Sequence, residues 1–277
     1  MSARIDPPRY LEYGGVAPAR SLDPAGALAY LTAKGFGDNY LEQSRVALAL
    51  RGEEHEFIPG TGAVCHFCWR PLMGGEFDRL GDGRHRCITC SKSVVSTHEE
   101  FVEMYHEVRR NFEAVFEVQF RVGMTVRMEN AKVIARHTTE SSRSAPGFDA
   151  RVLGFARETS GGYDLYIENG SPKLPSISTL AHELTHIWQY RTWDRAAIRE
   201  RYGAGNELFI YEGMAAWASA QYLLCTGETD FARREAAMTR ARDDEYGHGF
   251  RLFEERYPLR SAGSVLANTP FKHPLPL

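Results

Sequence analysis

His182, Glu183 and His186 form an H-E-x-x-H sequence, the stretch of this chain best suited to chemistry. On a helix, residues four apart share one face, so both imidazoles can bind one metal ion while Glu183 lies beside them. Such a histidine pair is typical of catalytic zinc sites, where a nearby carboxylate takes a proton from water. The spacing predicts His182 and His186 as zinc ligands and Glu183 as general base.

The residues around this motif have the periodicity of a helix. Apolar side chains recur at three- and four-residue steps, while the two histidines point away from that stripe. Pro175 suits the first turn, and Ser176 or Ser178 is expected to cap it. The apolar stripe consists of Ile177, Leu180, Ala181, Leu184, Ile187 and Trp188.

An open zinc site needs a third protein ligand, and Glu212 is the best candidate. It lies in a second apolar helix, at 208–224, whose neighbouring side chains are mostly small. Burying an unpaired carboxylate costs several kcal/mol, so a glutamate there suggests a partner. The alternative is a solvated Glu212 on an exposed stripe, in which case Asp243, Asp244 or His248 becomes the next candidate ligand.

Four cysteines upstream have the spacing of a second, closed metal site. Cys65 and Cys68 form one C-x-x-C pair, Cys87 and Cys90 form another, and 18 residues separate the two pairs. This is the pattern of two zinc knuckles, joined here by a hairpin turn at 81–83. Four thiolates leave no open coordination position, so this zinc ion is expected to be structural.

Other uses of these cysteines are less economical. Two disulfides would suit a secreted protein, and a redox pair would leave the second C-x-x-C unexplained. His66 and His85 could replace a thiolate, although the four-cysteine set is simpler. Cys225 is expected to be a small buried apolar residue. The ribbon also offers a surface for a protein partner.

The segment Tyr246-Gly247-His248-Gly249-Phe250 contains candidates for the group that stabilises the oxyanion during hydrolysis. Its glycines permit close approach of the backbone to another element. Tyr246, His248 and Tyr211 are each able to hydrogen-bond an oxyanion that develops during hydrolysis. The sequence does not rank these three, and a structural role for His248 is also open.

Local patterns elsewhere predict an α+β chain. Thr97 and Glu100 form a capping box for a helix that ends near Phe120. Strands are expected at 125–135, 151–157 and 163–168, the last two as a hairpin, and the strand at 163–168 could pair with an extended peptide along its edge. Further helices are expected at 25–34, 39–50, 229–242 and 244–257. The domains predicted are an N-terminal helical arm at 1–59, a four-Cys zinc ribbon at 60–96 and a metallopeptidase domain at 97–277.

Composition excludes several classes of partner. The chain of 277 residues has a formal net charge of −3 and a pI near 6.4, without a block of basic residues. The electrostatic signature of a nucleic-acid or anionic-membrane binder is therefore missing. The first residues lack an apolar run of signal-peptide length, and no 18-residue apolar stretch occurs, so a cytoplasmic location is expected.

Taken together, these motifs resemble the zinc peptidases of the LIM-domain, ubiquitin-activated family that restrains organ growth in plants, and its shorter prokaryotic relatives. The resemblance lies mainly in the C-terminal half. It rests on Leu174-Pro175, Leu180-Ala181-His182-Glu183-x-x-His186, Glu212-Gly213 and Tyr246-Gly247-x-Gly249-Phe250-Arg251. It implies a zincin-like fold of the Glu-ligand type, His182, His186 and Glu212 as zinc ligands, and hydrolysis of a protein or peptide substrate.

The chain also departs from that family. A full LIM domain has eight zinc ligands, whereas this segment offers four and is half-LIM-like. No acidic ubiquitin-interacting helix is present in the sequence, and Ala216 stands where thermolysin-like enzymes have an aspartate four residues after the ligand glutamate. Regulation by ubiquitin is therefore not carried over from the family to this chain. The hypothesis from the sequence is a two-zinc peptidase, with a zinc-stabilised interaction module of little or no turnover as the alternative.

Overall fold

The computed structural model describes residues 65–70, 72, 77–81, 84–130, 134, 153–203, 207–242, 244–260 and 266–273. The predicted arm at 1–59, with its two helices, lies outside these residues. The chain divides into two compact units. The first contains the described residues up to Ser93 together with Arg233–Ala241, and the second contains those of Val94–Ala232 and Arg242–Leu277. The predicted boundaries at 59 and 96 stay predictions.

The first unit contains a short hairpin followed by a single helical turn. β1 (Phe77–Arg79) pairs antiparallel with β2 (His85–Cys87), with Phe77 opposite Cys87. α1 (Ile88–Lys92) follows at once, and its N-cap is Cys87, whose sulfur accepts a hydrogen bond from the Cys90 N–H group. The hairpin and the turn bring the second cysteine pair close to the first.

The second unit is mostly helical and has one small sheet. Its elements in chain order are α2 (His98–Phe116), β3 (Gly123–Glu129), β4 (Gly154–Thr159), β5 (Gly162–Glu168), α3 (Lys173–Thr192), α4 (Arg195–Tyr202), α5 (Glu207–Cys225), the start of α6 (Thr229–Arg240), and α7 (Glu245–Arg256). The α+β class predicted from the sequence is confirmed. Among the described residues, no helix combines the length and the apolar character needed to cross a membrane.

The three strands of the second unit form a mixed sheet in the order β3-β5-β4. β4 and β5 form the predicted antiparallel hairpin, whereas β3 runs parallel to β5. The prediction that the strand at 163–168 offers an edge to a peptide is wrong, because β5 is paired on both sides. Among the described residues, β3 and β4 each have a strand on one side only, so these two are the edge strands of the sheet.

Helix α2 begins as predicted and ends early. The Thr97 side chain accepts from the Glu100 N–H group, and the Glu100 carboxylate accepts from the Thr97 N–H group, which confirms the capping box. The helix stops at Phe116 rather than near Phe120, because Glu117 adopts a left-handed conformation with φ of 55°.

Helix α3 contains the H-E-x-x-H sequence and starts earlier than its apolar stripe. Its N-cap is Pro172, which has no side-chain hydrogen bond to offer. The expected serine caps are therefore absent here, since Ser176 and Ser178 lie inside the helix, and the Ser176 hydroxyl donates to the Pro172 carbonyl instead. Pro175 does lie in the first turn, where the missing N–H group has no cost.

Helix α5 is the centre of the second unit, and nearly every residue from Ile210 to Leu224 is buried. Helices α3 and α7 pack against it. Gly213 of α5 and Gly249 of α7 meet backbone to backbone, since a methyl group added to either would overlap the other helix. Two glycines thus let α7 approach the stretch of α5 that contains Glu212.

Candidate metal centre

Three side chains from two helices converge in the second unit. His182 and His186 lie one turn apart on α3, and Glu212 lies on α5. The Nε2 atoms of the two histidines are 3.0 Å apart. The Glu212 Oε2 atom lies 3.1 Å from His182 Nε2 and 3.4 Å from His186 Nε2. We refer to these three residues as the His/His/Glu centre.

These distances suit a single metal ion. In a tetrahedral zinc site with bonds of about 2.0–2.1 Å, neighbouring ligand atoms are about 3.3 Å apart. The three separations of 3.0, 3.1 and 3.4 Å bracket that value. Two imidazoles and one carboxylate fill three positions and leave a fourth for water or substrate, as catalytic sites require.

Charge within the centre favours an ionised glutamate beside a protonated histidine when no metal is bound. Burial alone would raise the pKa of Glu212, but the adjacent His186 and His182 lower it well below its ordinary value. Burial would lower the pKa of His186, whereas the Glu212 carboxylate raises it to about 9. A cation is therefore favoured at this position, and a divalent ion would have to displace a proton from His186.

Two residues of the centre's surroundings were not anticipated from the sequence. Gln189 lies one turn after His186, and its Oε1 atom is 2.8 Å from His186 Nδ1. Tyr190 stacks nearly parallel on the His186 ring, with centroids 5.9 Å apart, and the Arg195 guanidinium carbon lies 4.5 Å from the centroid of the Tyr190 ring. The available signal was their spacing, because residues three and four after a ligand lie on its helix face.

Glu183 is buried near the His/His/Glu centre, but its carboxylate is not among the ligand atoms that converge there. Only 5% of its surface is exposed. Burial raises the pKa of Glu183, while His186, His182 and a hydrogen bond from the Ala156 N–H group act in the opposite direction. The hydrogen bond anchors the carboxylate to strand β4. Glu183 thus lies beside the His/His/Glu centre without belonging to it.

The register of β4 explains how Ala156 reaches Glu183. The Glu168 N–H group donates to the Leu153 carbonyl, which marks those two residues as a hydrogen-bonded pair of the antiparallel ladder. Pairs of this type alternate with non-hydrogen-bonded ones along the ladder. Ala156, opposite Leu165, therefore turns its N–H and C=O groups to the outer edge of the sheet. That edge runs past the general-base candidate.

Tyr246 is brought to the His/His/Glu centre by α7. Its ring stacks on His182 with centroids 6.1 Å apart, and the Arg242 guanidinium carbon lies 4.3 Å from the centroid of the Tyr246 ring. Arg242 is in turn paired with Asp244, the N-cap residue of α7. Burial, the Glu212 charge and a hydrogen bond with Glu212 hold the pKa of Tyr246 well above its usual range, so its hydroxyl keeps its proton.

The other two oxyanion candidates lie elsewhere. His248 is on the exposed side of α7, where its Nδ1 atom is 2.9 Å from the Arg251 guanidinium. The Tyr211 hydroxyl is buried, and burial raises the pKa of Tyr211. The charges that act on this pKa are Arg195, which lowers it, and Glu207 and Asp194, which raise it; none belongs to the His/His/Glu centre. Of the three, only Tyr246 is placed beside the ligands.

The four predicted cysteines converge in the first unit. Cys65, Cys68, Cys87 and Cys90 are all buried and all free, and their sulfurs lie within 4.8 Å of one another. The Cys68 and Cys87 sulfurs are 3.7 Å apart, close to the separation of about 3.8 Å for two thiolates on one zinc ion. Neither His66 nor His85 joins the cluster, since the His66 ring accepts from the His85 N–H group.

A residue far along the chain completes this cysteine site. The Arg234 guanidinium is buried and donates to the Cys68 carbonyl at 2.9 Å, across 166 positions of sequence. Arg234 lies in the segment Arg233–Ala241, which belongs to the first unit. No local sequence signal connects it to the cysteines.

Comparison of the chain with family models, with curated proteins and with solved structures gave no match. The resemblance to plant and prokaryotic zinc peptidases stays a prediction. The chemistry of the two clusters is therefore the basis on which a function can be assigned.

Proposed function

We propose that the second unit is a zinc-dependent peptidase with a zincin-like catalytic site. The observation that supports this most strongly is the difference in position between the two glutamates. Glu212 converges with His182 and His186, whereas Glu183 is buried beside them on the ligand helix, outside the converging atoms. A site for metal storage or structure would have no need of this second, desolvated carboxylate.

The ion proposed is zinc, held by His182, His186 and Glu212. Two imidazoles and one carboxylate are a common catalytic zinc set, and imidazole donors disfavour magnesium and calcium. When bound, zinc would supply a Lewis acid that acidifies water and polarises a carbonyl group.

Glu183 is the proposed general base. A general base works best when its pKa lies near the operating pH. Burial raises the pKa of Glu183 towards neutral pH, which makes it a better base than an exposed glutamate would be. The hydrogen bond from Ala156 fixes the carboxylate, so it accepts the proton of the attacking water without rearrangement. The same carboxylic acid then donates that proton to the departing amine nitrogen.

Tyr246 is the proposed donor to the oxyanion. Because the pKa of Tyr246 is raised, its hydroxyl stays protonated at neutral pH and can donate a hydrogen bond to negative charge that develops on the carbonyl oxygen. The Gly213 and Gly249 contact lets the backbone of α7 lie close to the stretch of α5 that contains Glu212, and the Arg242 guanidinium packs on the Tyr246 ring.

The outer edge of β4 is the proposed binding surface for the substrate backbone. The Ala156 N–H group is already bonded to Glu183, so an extended peptide would pair with the outward C=O group of Ala156 and the outward N–H and C=O groups of Glu158, and would pass alongside Glu183. Backbone pairing of this kind requires an extended chain, which favours peptides and unfolded segments of proteins over small molecules.

For the first unit we propose a structural zinc ion held by the four cysteines. A closed thiolate set leaves no position for substrate, and such small modules depend on the metal for folding. The ribbon surface would be available to a protein partner.

A peptide-library cleavage assay tests the enzymatic proposal. Protein loaded with zinc should cleave extended peptides, a chelator should abolish cleavage, and added zinc should restore it. Protein that holds zinc at the His/His/Glu centre yet cleaves no peptide would refute the peptidase and favour the interaction module.

A further inference from the structure

Gln189 is a fully buried amide that contacts both helices of the His/His/Glu centre. Its exposed fraction is 0%. Its Oε1 atom lies 2.8 Å from His186 Nδ1 on α3, and its Nε2 group donates to the Tyr211 carbonyl on α5 at 3.0 Å. These two contacts use both ends of the side-chain amide.

The direction of these hydrogen bonds follows from the Tyr211 carbonyl. A carbonyl oxygen can only accept, so the amide group that faces it must be the donating nitrogen. The amide oxygen is then left to face His186, and the Nδ1 atom of that ring must donate to it. The reverse orientation would place two oxygens against each other with no proton between them.

This arrangement selects one tautomer of His186. In the neutral imidazole, a proton on Nδ1 leaves the lone pair on Nε2. The Nε2 atom is the one that lies 3.0 Å from His182 Nε2 and 3.4 Å from Glu212 Oε2. The hydrogen bond that His186 Nδ1 donates to Gln189 therefore keeps the metal-facing nitrogen of His186 free to bind a cation and fixes the plane of its ring.

The second contact sets a distance between elements. Tyr211 directly precedes Glu212, so its carbonyl group belongs to the α5 backbone beside the third proposed ligand. One amide thus connects a ligand on α3 to the backbone beside a ligand on α5. We infer that Gln189 is the positioning residue of the centre, which holds His186 in its metal-binding tautomer and sets its spacing from Glu212.

This inference rests on the proposed metal site but does not depend on peptidase activity. It also requires an amide specifically. Glutamate at this position would keep an acceptor for His186 but would set a carboxylate against the Tyr211 carbonyl, and methionine would keep the volume but lose both hydrogen bonds.

The chain offers a matched control in Gln221 of α5. That side chain is also 0% exposed and also bridges two segments through its amide, accepting from the Arg260 N–H group and donating to the Arg260 carbonyl. It touches none of the three proposed ligands. Loss of a buried amide as such can therefore be separated from loss of this particular one.

The test uses the full chain as Gln189→Met, Gln189→Glu and Gln221→Met variants. A brief chelator treatment empties the His/His/Glu centre, and Co²⁺ is then titrated against a competing chelator while its visible absorption is recorded. Thermal midpoints of the metal-free proteins are measured alongside.

We expect Gln189→Met to weaken Co²⁺ binding by about 10–100-fold and to change the Co²⁺ absorption, as loss of an outer hydrogen bond to a ligand histidine does. Gln189→Glu should fall between that variant and the parent, and it decides the question if Gln189→Met does not fold. Gln221→Met should lower the thermal midpoint while affinity and spectrum stay parental.

Parental affinity and spectrum in both Gln189 variants would overturn the inference, as would an equal loss of affinity in Gln221→Met. A parent protein that binds no Co²⁺ at the centre would overturn it together with the proposed function. If Gln189 has the expected effect but the zinc-loaded parent cleaves no peptide, the positioning role stands and only the peptidase proposal fails.

Discussion

Replacing Glu183 by glutamine separates the proposed base from the proposed ligands. The amide keeps the size of the side chain and an oxygen that can accept the hydrogen bond from Ala156. It cannot take up a proton at neutral pH. Because Glu183 lies outside the converging ligand atoms, the variant should keep its zinc content and its fold while it loses turnover.

The size of the loss follows from the role of the group. General-base catalysis by a positioned side chain contributes about 10²–10⁴-fold, so turnover should fall by at least about 10²-fold. This corresponds to about 3–5 kcal/mol of transition-state stabilisation at 1.36 kcal/mol for each tenfold change. Turnover of the parent should also fall at acid pH, as Glu183 becomes protonated.

Stability provides an independent measurement. Burial raises the pKa of Glu183 in the folded state, so the unfolded chain releases this proton at lower pH than the folded one does. This group therefore makes the metal-free parent less stable as pH rises from the unfolded pKa to the folded one. Glu183→Gln has no such titration, and its thermal midpoint should exceed that of the metal-free parent at neutral pH and match it at low pH.

The assay compares peptide cleavage, zinc content and thermal midpoint for the parent, Glu183→Gln and Glu168→Gln. Glu168 is a similarly buried glutamate, 6% exposed on β5 and outside the centre, so its variant controls for loss of a buried carboxylate. Parental turnover in Glu183→Gln would refute the base assignment. Loss of zinc in that variant would show instead that Glu183 helps to hold the ion.

Four further predictions concern the metals and the packing around them. Elemental analysis should find two zinc ions per chain, the one at the His/His/Glu centre being removed first by chelators, and a single ion would contradict this. Glu212→Ala should weaken zinc at the centre and leave the cysteine-bound ion in place, whereas parental affinity would mean that the third ligand lies elsewhere. Because the pKa of His186 is raised to about 9, zinc must displace a proton below that pH, so competition titrations should show apparent affinity rising by up to about tenfold per pH unit, and a flat profile would contradict it. Gly249→Ala would overlap the Phe209 carbonyl and should destabilise the fold by about 1–3 kcal/mol in thermal denaturation, while Gly161→Ala, in open space, should have little effect.

The sequence by itself determined the local features of this protein. The capping box of α2, the hairpin of β4 and β5, and the boundaries of α5 and α7 to within a residue or two follow from periodicity and turn chemistry. The two metal-ligand sequences were visible for the same reason. A turn of helix places His182 beside His186, and a knuckle places Cys65 near Cys68, whatever the rest of the chain does.

Contacts between distant segments were decided only by the tertiary structure. The sequence could nominate Glu212 but could not separate Tyr246 from His248. These two residues are about 200° apart around α7, so the rotation of that helix decides which side chain faces the His/His/Glu centre. It gave no sign that Gln189 bonds the Tyr211 carbonyl or that Arg234 bonds the Cys68 carbonyl. It also misplaced the free edge, because the strand order puts β5 in the centre and makes β3 and β4 the edge strands among the described residues. Periodicity records which face of an element is buried, whereas the partner across the interface depends on the register and approach of two elements, and here the glycine contact between α5 and α7 sets that approach.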